Sequence, residues 1–291
     1  MKRALALALA AAALAPAAFA DAVPAAAVRA ELPFLDAPDA DAGVRIDLAK
    51  EGSHALPLEI DTGSAESFAT PVAARGLGIS LRRSKQTPYR RSTRLGRDID
   101  LIVDTRHGDT GAAAGGEWAI VGSRFLSAFV VEVDLPGRKV RFIDPDHYTV
   151  PDHVDAADEQ VLPLRLDSGR PVLDVEVGSA RVPAVLSTGA LGTLLLPGGW
   201  AAEAAVVPDP EATKSVPPMP GAGGLEAATA PRIRIGRFEE KDVPVLVAEL
   251  GAQGAGPRSE AIVGLALLDG YVLRIDYPRH RLWMSRPANA P

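Results

Sequence analysis

The sequence contains one unit twice, and this internal repeat limits the possible folds more than any other feature. Residues 121–142 align without a gap over residues 263–284, with matching Val, Gly, Leu, Asp and Pro positions. Upstream, residues 56–71 align with residues 182–197 in the same order. A match of this length indicates two copies of one structural unit in a single chain.

The repeat divides the chain into two similar domains. We assign the units to residues 21–147 and 160–287, followed by a short tail at 288–291. Residues 148–159 are polar, contain Pro151, and are interpreted as the linker between the units.

Apolar residues occur in short runs that Gly, Pro and Asp interrupt. Examples are residues 44–49, 129–134, 171–178 and 243–250. Such runs are typical of short strands, whereas only residues 71–76 and 199–205 have a helical pattern. The spacing therefore predicts a mostly β protein.

The first twenty residues have the three parts of a secretory signal peptide. Lys2 and Arg3 precede an Ala/Leu-rich stretch, and residues 18–20 (Ala-Phe-Ala) form a cleavage site. We expect cleavage after Ala20 and a periplasmic or secreted protein without a lipid anchor, since no Cys follows. No later run is long enough to span a membrane.

Composition excludes several function classes. Removing Lys2 and Arg3 with the leader lowers the 31 basic residues to 29 against 37 acidic ones, a net charge of −8, which argues against nucleic-acid binding. The absence of Cys excludes thiol catalysis and Cys-based metal sites. The five His residues show no metal-binding spacing, so we predict no metal and no cofactor.

Asp61 stands at the end of an apolar strand and is followed by Thr62, Gly63 and Ser64. Gly63 allows a tight turn in which backbone N–H groups point at the carboxylate. The Ser64 hydroxyl can add a hydrogen bond to an outer carboxylate oxygen. Such donors favour an ionised, oriented carboxylate that can act as a base.

The ordered motifs resemble the aspartic peptidase family, both its retropepsin-like and pepsin-like members. Each unit has an apolar strand into the Asp61 or Ser187 motif, a second apolar strand, and then Ile-Val-Gly at 120–122 or 262–264. The resemblance covers almost the whole mature chain. It implies a bilobal acid-protease fold: two β-barrel-like lobes, related by a pseudo-two-fold axis, on either side of a central cleft.

In that family each lobe contributes one aspartate to a catalytic pair that shares a proton. Asp61 matches the first position, but Ser187 occupies the second. A hydroxyl can position a water molecule, yet near neutral pH it cannot replace the second carboxyl group. Thr188 and Gly189 are retained, and the resemblance implies that Thr62 and Thr188 reach across to join the lobes.

The resemblance also implies a flap, a hairpin that closes over bound peptide. In the second unit the candidate flap lies within residues 218–229 and contains Gly221, Gly223 and Gly224. A disordered loop is the alternative interpretation of these glycines. The matching stretch of the first unit, residues 85–96, has no glycine where the tip is expected.

Two functions fit this pattern. The first is an exported aspartic peptidase that acts on peptides or unfolded protein segments, with cleavage either weak or dependent on a homodimer that pairs two Asp61 residues. The alternative is a pseudoprotease that binds peptide without cleaving it. A monomer is favoured, because the linker keeps the second unit at high effective concentration near the first.

Overall fold

The computed structural model describes residues 23–35, 43–79, 88–103, 119–217, 224–249 and 259–287. The predicted leader (1–20), the tail (288–291), Gly221 and Gly223 lie outside these residues. Among the described residues, no helix has the length and apolar character that a membrane span requires.

Short strands dominate the first half of the chain. Its described strands and helices are a short 3-10 helix (Ala25–Ala27), β1 (Val28–Pro33), β2 (Arg45–Asp47), β3 (Pro57–Ile60), β4 (Ser67–Ala69), α1 (Pro71–Gly76), β5 (Tyr89–Ser92), β6 (Asp98–Val103), β7 (Ala119–Val121), α2 (Ser123–Leu126), β8 (Val130–Asp134) and β9 (Lys139–Ile143).

The second half repeats this arrangement with longer strands. Its elements are β10 (Glu159–Pro163), β11 (Arg165–Asp167), β12 (Arg170–Val177), β13 (Ala180–Leu186), β14 (Leu194–Pro197), a short 3-10 helix (Gly198–Trp200), β15 (Val207–Pro208), α3 (Pro210–Thr213), β16 (Leu225–Ile235), β17 (Phe238–Ala248), β18 (Ala261–Val263), α4 (Leu265–Leu268), β19 (Val272–Asp276) and β20 (Arg281–Ser285).

The described strands form three sheets. The first lobe has a six-stranded sheet in the order β2-β3-β7-β4-β6-β5, and the second has an eight-stranded sheet in the order β11-β12-β13-β18-β14-β17-β16-β15. An additional β12–β16 pairing curls the second-lobe sheet toward a barrel. A third sheet, β1-β9-β8-β19-β20-β10, takes strands from both halves and joins the lobes. The predicted mostly β, bilobal architecture is confirmed.

Burial follows the alternation of the strands. In β3, Leu58 and Ile60 are fully buried in the core, whereas Glu59 between them lies on the opposite face. Thr70 caps α1 by accepting a hydrogen bond from the Ala73 N–H at 3.1 Å, and Pro71 occupies the first turn. These features fix the strand that leads to Asp61 and the helix that follows the motif.

The repeat is visible in the joining sheet. Strands β8 and β9 correspond to β19 and β20 at an offset of 142 residues, and the matching strands β8 and β19 pair antiparallel with each other. The turns after β8 and β19 agree as well, since Arg138 and His280 both have positive φ, at 48° and 57°. The lobes are therefore related by an approximate two-fold axis between β8 and β19.

The predicted linker packs against this joining sheet. Tyr148, Val150 and Val154 are buried in a small apolar cluster with residues such as Val130 and Trp283. The connection between the units therefore contributes to the lobe interface.

Candidate active site

The two motif loops meet where the lobes face each other. Asp61 follows β3, and its N–H donates to the Val121 carbonyl at 3.1 Å. Ser187 follows β13, and its N–H donates to the Val263 carbonyl at 2.9 Å. Each loop is thus held by the Ile-Val-Gly strand of its own lobe, as the ordered motifs imply.

Thr62 and Thr188 connect the lobes through four reciprocal hydrogen bonds. The Thr62 hydroxyl donates to the Leu186 carbonyl and the Thr188 hydroxyl donates to the Ile60 carbonyl, each at 2.5 Å. Each hydroxyl also accepts the backbone N–H of the other threonine at 3.2 Å. Both side chains are fully buried, so these bonds set the relative position of Asp61 and Ser187.

Asp61 and Ser187 are in direct contact. The Ser187 hydroxyl donates to Asp61 Oδ1 at 2.9 Å, and the Gly63 N–H donates to the same oxygen at 2.8 Å. The Ser187 oxygen in turn accepts the Ala190 N–H at 3.2 Å. Asp61 is half-buried and Ser187 is 5% exposed. The aspartate thus receives two donors on one oxygen, one of them from the position where the resemblance implies a second carboxyl group.

The motif glycines are required by the close approach of the lobes. A Cβ at Gly63 would lie 2.6 Å from Ser187 Oγ, and a Cβ at Gly189 would lie 2.5 Å from Asp61 Cγ. Each glycine therefore packs against the reactive side chain of the opposite lobe. The Ser64 hydroxyl does not join this network, because it donates to the Glu66 carbonyl at 2.8 Å instead of to an outer oxygen of Asp61.

The flap candidates are only partly described. Gly224 is exposed and directly precedes β16, and its carbonyl accepts the Glu249 N–H at 3.1 Å. In the first unit, β5 and the turn before β6 occupy the end of the 85–96 stretch, and Gly96 sits in that turn with φ of 73°. This turn matches the β16–β17 turn, where Gly236 has φ of 59°.

A second carboxyl group, which the sequence motifs do not indicate, lies near Asp61. Glu59 lies two residues before Asp61, and burial raises its pKa to about 7, with the negative charge of Asp61 adding to the rise and Arg45 opposing it. Its Oε2 is 3.9 Å from Arg45 Nε. The signal in the sequence was a single acidic residue within an otherwise apolar strand.

Two further buried hydroxyl groups, those of Ser123 and Tyr277, lie near the motif loop of the first lobe. The Ser123 hydroxyl donates to the Thr62 carbonyl at 2.6 Å. Burial raises the pKa of the Tyr277 hydroxyl, which lies near Ser123 and also senses the negative charge of Asp61. Both residues follow strands that the repeat aligns, yet neither has the same residue type in the other unit.

The site has the groups for base catalysis but not for a shared carboxyl pair. Asp61 can accept a proton from water, and the neutral Ser187 hydroxyl can orient that water or the carboxylate. No cluster of three His, Cys, Asp or Glu side chains suited to a metal occurs in the described part of the chain.

No model of a known protein family and no curated protein matches the sequence. Similar proteins are found among solved structures. A retropepsin-like aspartic protease from Rickettsia conorii is 17% identical, with a TM-score of 0.32 over 43% of this chain and 89% of that one.

Two longer proteins match across most of the chain. Basic 7S globulin from soybean is 11% identical, with a TM-score of 0.49 over 88% of this chain and 94% of its own. The aspartic proteinase from Irpex lacteus is also 11% identical, with a TM-score of 0.49 over 90% of this chain and 99% of its own. Two of these three proteins are named as aspartic proteases, and at these identities and TM-scores the likeness carries no statement about activity.

Proposed function

We propose that this protein is an aspartic-peptidase-like protein that binds extended peptide segments at the Asp61–Ser187 site and hydrolyses them slowly or not at all. One observation carries the proposal: the Ser187 hydroxyl donates to Asp61 Oδ1 at 2.9 Å, at the position of the second acid. The lobe-to-lobe bonds of Thr62 and Thr188 are kept. The framework of a peptidase site is retained while one of its two acids is missing.

The missing acid removes a specific step. A carboxylate base such as Asp61 can activate water, but the substrate carbonyl then needs a proton from a second acid. A serine hydroxyl is a far weaker acid, and loss of one acid or base typically slows a reaction about 10²- to 10⁴-fold. Binding does not depend on that step, because an extended peptide is held mainly by backbone hydrogen bonds to strand edges.

The joining sheet argues against a homodimer that would complete the catalytic pair with the Asp61 of a second chain. Strand β8 of the first lobe pairs along its whole length with β19 of the same chain. Two first lobes could meet through β8 only after both of these intramolecular pairings had opened. We therefore propose a monomer.

The test compares wild type, Asp61→Ala and Ser187→Asp for peptide binding and cleavage, with molecular mass measured alongside. We expect wild type and Asp61→Ala to bind a set of unstructured peptides equally well. Ser187→Asp is expected to gain cleavage with an acidic optimum, because two carboxyl groups this close share a proton. Failure of every variant to bind peptide would refute the proposal, and rapid cleavage by wild type would refute its second half.

The leader sequence is the basis for inferring export. We propose that the protein is periplasmic or secreted, which cell fractionation and N-terminal sequencing of the mature chain would test. A mature N-terminus at Asp21 is expected, whereas retention of Met1 in the cytoplasm would contradict the proposal.

A further inference from the structure

Three side chains form a row across the first-lobe sheet. Glu59 on β3 is the register partner of Ile120 on β7, which is in turn the partner of Phe68 on β4. All three are partly exposed, whereas the alternate residues Leu58 and Ile60 are fully buried. We call Glu59, Ile120 and Phe68 the Glu59 row.

The Glu59 row adjoins the proposed peptide site. Asp61 follows β3 and continues its ladder through the hydrogen bond to Val121, so Glu59 and Asp61 project from the same face of the sheet. Their proximity also shows in the charge of Asp61, which helps to raise the pKa of Glu59. A side chain of a peptide bound at Asp61 can therefore reach the row.

The second lobe has the same row without the acid. Val185, Ile262 and Leu195 occupy the matching register positions on β13, β18 and β14. The repeat alignment places Val185 opposite Glu59, just as it places Ser187 opposite Asp61. Asp61 and Glu59 thus both belong to the first lobe, and the lobes present different chemistry to a ligand.

The Glu59 carboxyl group is mostly buried, and its cationic neighbour in the described part of the chain, Arg45, is too far away for a hydrogen bond. A Cβ at Gly43 would lie 2.6 Å from Oε1, so the missing side chain there makes room for the carboxyl group. Arg45 Nε lies 3.9 Å from Oε2, beyond hydrogen-bond length, and the Glu59 side chain is 18% exposed. A cation that came closer would meet a carboxylate that folding has already removed from most of its water. Binding would therefore not incur that desolvation cost again.

We propose that the Glu59 row is a subsite that selects a lysine or arginine side chain of the bound peptide. The methylene stem lies against Ile120 and Phe68, and the cationic end lies at Glu59. Long cationic side chains bury their stems on apolar surface in this way while the charged group meets its partner. This inference rests on the proposed peptide binding and adds the class of side chain that is recognised.

The test uses pairs of peptides that differ only by lysine or norleucine, which share an aliphatic stem of similar length. Wild type is expected to bind the best lysine peptide about tenfold more tightly than its norleucine partner, the gain typical of one charge-assisted hydrogen bond. Glu59→Gln should lose the preference but keep the affinity for the norleucine peptide. Asp100→Asn, which removes an exposed carboxylate from the same sheet outside the row, should behave as wild type.

Proton release provides a second readout. A bound cation favours the carboxylate form of Glu59, so lysine peptides should release a proton near pH 7, measured by calorimetry in buffers of different ionisation enthalpy. Asp61 and Arg45 are the charged groups that act on Glu59. Any proton that these two groups take up or release on peptide binding is common to the norleucine peptide, which therefore serves as the control. Equal affinity for the two peptides, or a lysine preference that survives in Glu59→Gln, would overturn the inference while leaving peptide binding intact. If neither peptide bound wild type, the proposed function itself would fail.

Discussion

Glu132 and Arg274 occupy equivalent positions of the two repeats and form an ion pair with each other across β8 and β19. The approximate two-fold axis therefore passes between two residues of opposite charge. Their side chains are only 2% and 8% exposed. Arg141 also donates to Glu132 at 2.9 Å, and the Arg274 guanidinium lies 4.0 Å from the centre of the Trp283 ring. A symmetric pairing of two first lobes would instead place two buried glutamates side by side.

Reversing the charge of Arg274 should strongly destabilise the joined lobes. We expect Arg274→Glu to lower the free energy of unfolding by about 3–5 kcal/mol, because it leaves buried like charges in contact. The double variant Glu132→Arg/Arg274→Glu should recover part of the loss. Urea unfolding measures both. Asp174→Ala, which breaks an exposed pair with Arg181, should cost less than about 1 kcal/mol, and an equal effect there would contradict the assignment.

Removing the hydroxyl of Thr188 should weaken the contact between the lobes. Thr188→Val leaves the Ile60 carbonyl and the Thr62 N–H without their partners, which costs about 1–3 kcal/mol for a buried polar group. Thermal unfolding is the measurement. Thr229→Val, at a partly exposed position of β16, serves as the control, and equal stability of the two variants would count against the role of the reciprocal bonds.

A methyl group at Gly189 should disturb the site directly. Gly189→Ala brings a Cβ to 2.5 Å from Asp61 Cγ, and overpacking of this kind typically costs about 1–3 kcal/mol. Gly192→Ala is a matched control three residues away, because its Cβ would meet nothing within 4 Å. We expect a lower melting temperature and weaker peptide binding for Gly189→Ala alone. Tolerance of both changes would mean that the lobes approach less closely.

Glu59 makes stability fall as the pH rises. Its pKa is raised from 4.5 to about 7 on folding, so the folded state binds more protons than the unfolded state between these values. The contribution of Glu59 to the free energy of unfolding is fully present below about pH 4.5. It is lost as the pH rises through about 7, and the loss is at most about 3 kcal/mol. Glu59→Gln should therefore gain stability relative to wild type between about pH 5 and 8. A constant difference across that range, measured by urea unfolding, would refute the shifted pKa.

The repeat predicted much of the fold because two copies of one apolar pattern indicate two copies of one set of strands. It located both motif loops, and the structure brings Asp61 and Ser187 together as the alignment implies. Side-chain contacts that depend on tertiary packing could not be predicted from it. Nothing local to Ser64 indicates that its hydroxyl turns to Glu66, and the raised pKa of Glu59 depends on burial that only the assembled lobe produces. Three one-turn helices, α2, α3 and α4, were also missed, since four residues carry no periodicity.

The pairing of β8 with β19 has a consequence for the nascent chain. During synthesis, one edge of β8 stays unpaired until β19 emerges about 142 residues later, and an unpaired strand edge favours association with other nascent chains. Glu132 lies at the middle of β8. Two β8 strands that met in the β8–β19 register would place one Glu132 carboxylate against another. Glu132 by itself therefore disfavours pairing between incomplete chains before Arg274 has been made.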